Sequence, residues 1–375
     1  MDNQQQNERN NRDETTWKES PYLIIKGFLM GSADIVPGVS GGTMALITGI
    51  YQRLINAIKS VDSTVIENAL KFRVKKVLEL FHWKFFVLLF TGLGGAVLFF
   101  TKIVPLQIYM FTHTEIVYGL FFGLILGSIF LLIVEVSPEK RGWKNALPII
   151  AGSIIGFWIV TLVPADTPET FWYVFISGAI SICAMILPGI SGSYILLILR
   201  KYDYILTELG NLASSNMMNA IVNLTPFFLG AILGLALFAR ILSWLLKHFH
   251  AATILVLVGF LIGSLYVIWP FQEREYYESV RAVEVLPYSD PIVQELLLRE
   301  EEPELPRYQR IRTITEDSSE PGARVAEVET VSIQLLNSEP FIPDFDSDEV
   351  NVGGGFTGGI IGLLMIWFIS YLRQT

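Results

Sequence analysis

The most constraining feature of this chain is a series of long apolar segments separated by charged loops. Several of these segments reach the roughly 20 residues that a helix needs to cross the hydrocarbon core of a bilayer. Hydrophobic residues make up 52% of the sequence and charged residues only 17%, with a mean hydropathy of +0.48. A single soluble core could not bury so many apolar segments. The composition therefore predicts an all-α polytopic membrane protein.

Two of the apolar segments are broken near the middle by the same pattern, Pro-Gly-x-Ser-Gly. The pattern starts at Pro37 in the segment 22–51 and at Pro188 in the segment 171–199. Proline cannot continue the helical hydrogen-bond ladder, and glycine weakens a helix further. Each arm of the first segment has about 14 residues, roughly 20 Å of helix, which is too short to span alone. We predict two re-entrant helical hairpins, with one bent span as the alternative for the first segment.

The distribution of charge predicts the orientation of the chain. Lysine and arginine are frequent in 52–84 and again in 140–144, which places both loops in the cytoplasm by the positive-inside rule. A hairpin that enters and leaves on one side puts the N-terminus there as well. The polar residues 1–20 are predicted to form a disordered cytoplasmic tail. The last apolar segment, 353–372, then runs inward and leaves the C-terminus in the cytoplasm.

The two halves of the membrane body match each other in order. The two Pro-Gly-x-Ser-Gly patterns align at an offset of 151 residues, and the later stretch 123–128 matches 259–264. Duplicated halves of opposite orientation are common in transporters. The prediction is an inverted repeat, each half with one hairpin and three transmembrane helices. The first repeat covers 21–164, and the second covers 165–270 together with 353–375.

Residues 271–352 form an acidic insert within the second repeat. Between 271 and 350 the chain has 20 acidic residues and 7 arginines, a net charge of −13, so the rest carries +4 of the total of −9. Nothing in this pattern resembles a basic nucleic-acid surface, and no nucleic acid is expected as a partner. Alternating residues in 307–315 and 325–335 predict a small β-rich module outside the cytoplasm. The alternative is a disordered acidic loop.

The tips of the two hairpins offer the chemistry of an anion site near the bilayer midplane. The second arm of a hairpin begins at the tip, so its unpaired backbone N–H groups and the positive end of its dipole point into the membrane. Glycine exposes these donors, and hydroxyl groups add others. The predicted substrate-binding residues at the tips are Gly38, Ser40, Gly41, Gly42, Thr43, Gly189, Ser191, Gly192, Ser193 and Tyr194. Alternatively, these residues only let the helices bend and pack.

Five charged residues complete the candidate site. Arg53 and Arg200 follow the second arms of the hairpins and are predicted to guide a phosphate group from either face. Lys26, Asp34 and Arg240 lie within apolar segments and are candidates for coupling or gating, with Asp34 able to take up a proton or contact a coupling cation. The alternatives are interfacial snorkelling for the arginines and, for Asp34, a cap or a partner for Lys26. No cofactor is expected beyond coupled H⁺ or Na⁺.

The tip sequences 31–43 and 187–194 resemble those of the bacterial undecaprenyl-phosphate translocases, a polyprenyl-phosphate transporter family that was formerly a domain of unknown function. The resemblance covers 22–269 and the last span, and the acidic insert departs from it. It implies a flippase in the bacterial cytoplasmic (inner) membrane that returns undecaprenyl phosphate from the outer to the cytoplasmic leaflet for cell-envelope synthesis. The implied partners are this lipid and the surrounding membrane lipid, and a homo-oligomer is left open.

Two other classes of function remain open from the sequence. An ion-coupled carrier of a small soluble anion could use the same helix ends, but it would need a sealed aqueous cavity. A lipid phosphatase or transferase is less well supported, because the sequence has no recognisable catalytic histidine, nucleophile or metal cluster, and Cys183 is the one cysteine. We therefore expect no enzyme activity. Because the second half matches the first without the insert, we also expect transport without the insert.

Overall fold

The part of the chain that the computed structural model describes comprises residues 15–36, 39–104, 106–135, 146–162, 167–212, 217–299, 307–316, 324–345 and 350–374. Most of these residues are helical, in agreement with the predicted class of fold. The predicted tail, 1–20, lies mostly outside the described residues. Its described end forms a 3-10 turn, Trp17–Glu19, directly before the first helix.

The first half of the membrane body contains nine helices among its described residues. The broken segment forms α1 (Ser20–Asp34), α2 (Gly41–Ile47) and α3 (Tyr51–Lys59). The positively charged stretch after it forms α4 (Ser63–Leu70) and α5 (Val74–Leu80). The remaining helices are α6 (Trp83–Lys102), α7 (Leu106–Thr112), α8 (Thr114–Glu135) and α9 (Ala146–Val160).

The second half also begins with a broken segment and contains the insert. Its broken segment forms α10 (Phe171–Ile186) and α11 (Gly192–Ile198), followed by α12 (Tyr202–Asn211). Two long helices come next, α13 (Met217–His248) and α14 (His250–Ile268). The insert contains β1 (Gln272–Pro287), α15 (Pro291–Leu297), β2 (Arg307–Glu316) and β3 (Arg324–Pro340). The last helix is α16 (Val352–Gln374).

Five helices of the described chain are long and apolar enough to cross a membrane, namely α6, α8, α13, α14 and α16. Six full spans were expected from the sequence. The sixth, α9, is apolar but has only 15 residues, about 22 Å of helix. The residues directly before α9, 136–145, lie outside the described part of the chain. Within that part the expected number of full-length spans is therefore too high by one.

Glycine lets the helices of the membrane body pack in close parallel pairs. A Cβ atom added to Gly123 of α8 would lie 2.0 Å from the carbonyl oxygen of Gly359 in α16, and one added to Gly152 of α9 would lie 2.3 Å from that of Val256 in α14. In the same way α1 pairs with α6, and α10 pairs with α13. Helices α8 and α14 are the second spans of their halves, and α9 and α16 are the third. The second span of each half therefore packs against the third span of the other half.

Each broken segment ends beside the point at which it began. Arg53 of α3 forms an ion pair of 2.8 Å with Glu19, which precedes α1. In the second half, the Lys201 ammonium group donates a hydrogen bond of 3.0 Å to the backbone oxygen of Thr167, which precedes α10. The two ends of each segment thus lie side by side.

The insert is a three-stranded antiparallel sheet with the strand order β1-β3-β2. Helix α15 packs against it through Val293, which is buried with Ala326 and Val328 of β3. The predicted β-rich module is therefore confirmed, and the alternative of a disordered loop is wrong for the described residues. Strand β1 was not predicted from the sequence. It pairs with β3 along almost its whole length.

The sheet rests on helices α12 and α14 of the second half. Gln272 at the start of β1 donates a hydrogen bond of 2.6 Å to the backbone oxygen of Tyr266 in α14. Farther along β1, the Tyr277 hydroxyl donates a hydrogen bond of 3.2 Å to the Asp203 carboxylate in α12. Arg281 of the same strand forms an ion pair with Asp203. These polar contacts fix the position of the sheet on the membrane body.

Candidate functional site

The two tips meet each other in the fold, although they lie about 150 residues apart in the sequence. The Ser40 hydroxyl lies 3.2 Å from the backbone oxygens of both Met185 and Leu187 and can donate to either. These carbonyl groups stand at the end of α10, where a helix leaves its last acceptors unpaired. In the opposite direction, the Gly189 N–H group donates a hydrogen bond of 3.0 Å to the Thr43 hydroxyl oxygen. Each tip therefore satisfies polar groups of the other.

The first tip is held together by side chains of its own hairpin. Ser40 adopts an extended conformation, and its hydroxyl oxygen accepts a hydrogen bond of 3.1 Å from the Gly42 N–H group, as an N-cap does. The Asp34 carboxylate at the end of α1 accepts a hydrogen bond of 2.6 Å from the Gly41 N–H group. The chain thus turns between α1 and α2 with the first donors of α2 satisfied. Pro37 and the predicted site residue Gly38 lie outside the described residues.

The second tip has a similar cap and an additional anchor. The Ser191 hydroxyl accepts a hydrogen bond of 3.5 Å from the Tyr194 N–H group and lies 2.8 Å from the hydroxyl of Ser193, which is exposed. Gly189 has a φ of +80°, a conformation that a residue with a side chain rarely adopts. The Tyr194 hydroxyl donates a hydrogen bond of 2.8 Å to the backbone oxygen of Val160, so α11 is attached to the end of α9.

The packing at the tips leaves no room for larger residues. Between the tips, a Cβ atom at Gly42 would lie 2.4 Å from the Ile186 carbonyl oxygen; within the second segment, one at Gly192 would lie 2.6 Å from that of Ser181. The Thr43 side chain is 0% exposed. In this arrangement the N–H groups of Gly41, Gly42 and Gly189 bind oxygen atoms of the protein. Of these donors, the Gly189 N–H group would become available to a ligand if the tips separated, whereas those of Gly41 and Gly42 bond within the first tip.

The predicted cations lie away from the tips. Arg53, at the open end of the first hairpin, donates hydrogen bonds of 2.8 Å to Glu19 and to Thr15. Arg200, just beyond α11, has its guanidinium group 5.6 Å from the centre of the Tyr277 ring. Arg240 is exposed on α13 and donates to a carbonyl oxygen of its own helix, and Lys26 is half-buried on α1. The fold brings the tips together, and the contacts described for Arg53, Arg200 and Arg240 are with residues outside the tips.

A buried cation beside Arg200 was missed in the sequence. Lys201 is 1% exposed, and its ammonium group lies 5.6 Å and 5.8 Å from the ring centres of Tyr173 and Tyr204. These cation–π contacts and the hydrogen bond to Thr167 hold the charge at the base of the second hairpin. The only signal in the sequence was the Arg-Lys pair itself, and it does not indicate which of the two side chains is buried.

Two further features bear on what the membrane body can bind. An apolar groove with a volume of about 810 Å³ lies between α8 and α16; residues that line it include Leu126, Phe130, Leu363, Ile366 and Trp367. In the described part of the chain, no three His, Cys, Asp or Glu side chains come close enough together to hold a metal ion.

Comparison with known proteins places these features in a family. A family model described as undecaprenyl phosphate translocase-like matches residues 30–284. A polyprenyl-phosphate transporter of Vibrio cholerae is 37% identical over 258 residues, which cover 68% of this chain and 80% of that protein. One of Staphylococcus aureus is 30% identical over 258 residues, which cover 66% of this chain and 85% of that protein. No solved structure matches the chain. The region that matches the model contains both tips, and the chain belongs to the undecaprenyl phosphate translocase-like family.

Proposed function

We propose that this protein is a flippase that returns undecaprenyl phosphate from the outer to the cytoplasmic leaflet of the bacterial cytoplasmic membrane. The relatives named as polyprenyl-phosphate transporters support the class of substrate. The observation that carries the mechanism is the direct contact between the two tips, through Ser40 on one side and Thr43 and Gly189 on the other.

The difficult part of this transport is the headgroup. A phosphate monoester carries a charge of about −1.5 to −2 near neutral pH, and moving it through hydrocarbon without hydrogen-bond donors is prohibitively costly. The polyprenyl tail is soluble in the bilayer and needs no polar path. A protein that performs this task therefore needs polar donors at membrane depth and an apolar surface for the tail. The tips supply the first, and the groove between α8 and α16 is a candidate for the second.

In this mechanism the observed contact between the tips is the closed state. When the tips separate, the Ser40 and Thr43 hydroxyls and the Gly189 N–H group lose their protein partners, and the phosphate oxygens take their place. Asp34 controls whether one further donor is available, because its carboxylate accepts a hydrogen bond from the Gly41 N–H group. Uptake of a proton by Asp34 would weaken this bond, which is how transport would be coupled to H⁺.

If the two halves have opposite orientations, a headgroup can approach the tips from either face of the membrane. Two observations support an inverted repeat: the second and third spans exchange partners between the halves, and the helices of each pair run in parallel. Both hairpins would then be re-entrant, with their open ends on opposite sides. The N- and C-termini lie in the cytoplasm, and the insert lies outside. We assign the tip residues to headgroup binding, and Arg53 and Arg200 to guiding the headgroup at the two open ends.

The decisive experiment measures the accessibility of the headgroup in liposomes that contain the purified protein. We expect the protein to speed the exchange of C55 phosphate between the leaflets and to leave inorganic phosphate untransported. Protein-free liposomes provide the baseline. Uptake of inorganic phosphate without any exchange of the lipid would refute the proposal and favour the carrier of a soluble anion.

A further inference from the structure

Three buried polar groups lie together where the sheet meets the membrane body. Within the described chain, the Nε and Nη2 atoms of Arg274, the hydroxyl of Ser338 and the Oε1 atom of Gln272 are buried and have no hydrogen-bond partner. Arg274 and Ser338 are directly paired across β1 and β3, and Gln272 lies two residues before Arg274. Side chains two residues apart on a strand and those of directly paired residues share one face of a sheet. The three groups therefore form one cluster.

This face of the sheet is turned toward the membrane helices. The Arg274 guanidinium group lies 4.0 Å from the centre of the Tyr118 ring in α8. The amide nitrogen of Gln272 donates to the backbone oxygen of Tyr266, close to the end of α14. The cluster is thus enclosed between the sheet and the outer ends of two spans, one from each half of the protein.

Arg274 lacks a carboxylate partner in the described chain, unlike Arg281 and Arg310 of the same sheet. Arg281 forms an ion pair with Asp203, and Arg310 forms ion pairs with Glu278 and Glu329. None of the ion pairs found among the described residues involves Arg274, whose Nη1 atom donates to the backbone oxygen of Gln272 at 3.4 Å and whose guanidinium group also contacts the neutral Tyr118 side chain. Arg274 is half-buried, and burial of its Nε and Nη2 atoms without a counter-charge is costly because it removes water that would otherwise solvate the charge. A site of this kind is favourable when an anion binds to it.

We infer that Arg274 and Ser338 bind a phosphate monoester at the outer end of the membrane body, before it reaches the tips. The guanidinium group offers two N–H donors to two oxygens of one phosphate, and the serine hydroxyl offers another. Gln272 can accept a hydrogen bond from the hydroxyl of a singly protonated phosphate. This inference rests on the proposed function and adds a separate receiving site to it.

The position of the cluster fits a step that precedes the tips. Gly189 of the second tip touches the backbone of Phe260 in α14, and Gln272 touches Tyr266 of the same helix. These two positions are six residues apart, about 9 Å along the helix axis. A headgroup on the outer surface would meet Arg274 first and the tips next. The insert would then take part in transport, contrary to the expectation that transport does not need it.

The test compares variants of the full-length protein in lipid nanodiscs, with C55 phosphate and inorganic phosphate as separate probes. Arg274→Gln removes the charge, Arg274→Lys keeps it, and Ser338→Ala removes only the hydroxyl. Arg299→Gln is the matched control, because Arg299 belongs to the same insert and forms an ion pair with Glu295. Binding is measured by titration, and the thermal stability of each variant is measured with and without the probe.

We expect Arg274→Gln to weaken the binding of C55 phosphate by about tenfold or more, as for the loss of charge-assisted hydrogen bonds, and Arg274→Lys to weaken it less. Ser338→Ala should have a smaller effect in the same direction, and Arg299→Gln should have none. The binding of inorganic phosphate should depend on Arg274 in the same way, but it should be weaker than the binding of C55 phosphate. Stronger binding of inorganic phosphate than of C55 phosphate at Arg274 would overturn the assignment to the lipid headgroup.

Two outcomes separate this inference from the proposed function. If the wild-type protein moves C55 phosphate and all four variants bind it equally well, the receiving site is refuted while the transporter stands. If the wild-type protein binds C55 phosphate through Arg274 but does not move it, the transporter is refuted while the site stands. Should Arg274→Gln fail to fold, Ser338→Ala decides, because unchanged affinity in that folded variant also counts against the site.

Discussion

Replacing Thr43 by valine tests the contact between the tips with a minimal change of shape. The substitution exchanges a hydroxyl group for a methyl group of similar size, and the Thr43 side chain is 0% exposed. It removes the acceptor of the Gly189 N–H group, which lies 3.0 Å away. A buried donor that loses its partner costs about 1–3 kcal/mol. We therefore expect Thr43→Val to lower the free energy of unfolding by about that amount.

Thr48→Val is the matched control, because it makes the same exchange in the same segment. Thr48 is 5% exposed, and its hydroxyl donates a hydrogen bond of 2.7 Å to the Met44 carbonyl oxygen. That oxygen also accepts a hydrogen bond of 2.9 Å from the backbone N–H group of Thr48, so the Met44 oxygen keeps a partner after the substitution. The loss for Thr48→Val should accordingly be smaller than the loss for Thr43→Val, because no buried group is left without a partner.

The assay is equilibrium unfolding of both variants in the same detergent, followed by lipid exchange in liposomes. In the proposed mechanism Thr43→Val weakens the closed state, and each 1.4 kcal/mol changes the balance of closed and separated tips about tenfold. Lipid exchange should change in Thr43→Val and stay at the wild-type rate in Thr48→Val. Equal losses of stability and equal rates of exchange in the two variants would refute the role given to this hydrogen bond.

Three further predictions concern packing, pH and orientation. Gly123→Ala should reduce the yield of folded protein, because its Cβ would lie 2.0 Å from the Gly359 oxygen, whereas Gly94→Ala, with nothing within 4 Å, should fold normally; equal yields would contradict the close packing of α8 and α16. The Tyr308 hydroxyl and Arg310 hold the pKa of Glu278 below its ordinary value of 4.5, so this carboxylate stabilises the insert above that pH and the contribution is lost as the pH falls through the lowered pKa. Glu278→Gln should therefore weaken the dependence of the melting temperature on acid pH, and an unchanged pH profile would count against the ion pair. In a Cys183→Ala background, an impermeant thiol reagent should label Asp344→Cys in intact cells and Lys75→Cys only after lysis, and the reverse pattern would refute the proposed orientation.

Much of the fold follows from local properties of the sequence. Apolar length alone indicated the spans, because a helix that crosses a bilayer must satisfy its own backbone and present apolar side chains. Proline and glycine at 37–38 and 188–189 marked the breaks, and the structure has helix ends at Asp34 and Ile186. The alternation in 307–315 and 325–335 indicated two of the three strands. Strand β1 was missed because its partner β3 lies beyond α15 and β2 in the chain, so the pairing depends on distant residues.

Only the tertiary structure determined which polar and charged groups have hydrogen-bond or ion-pair partners. The sequence placed glycines and hydroxyls at both tips, but it could not show that the Gly41 and Gly189 N–H groups bind Asp34 and Thr43. It also could not distinguish the exposed Arg200 from the buried Lys201 beside it, or Arg274 without a carboxylate partner from Arg281 with one. Helix breaks are determined by residues within a turn or two. Whether a donor or a charge has a partner is determined by side chains that packing brings together from distant parts of the chain.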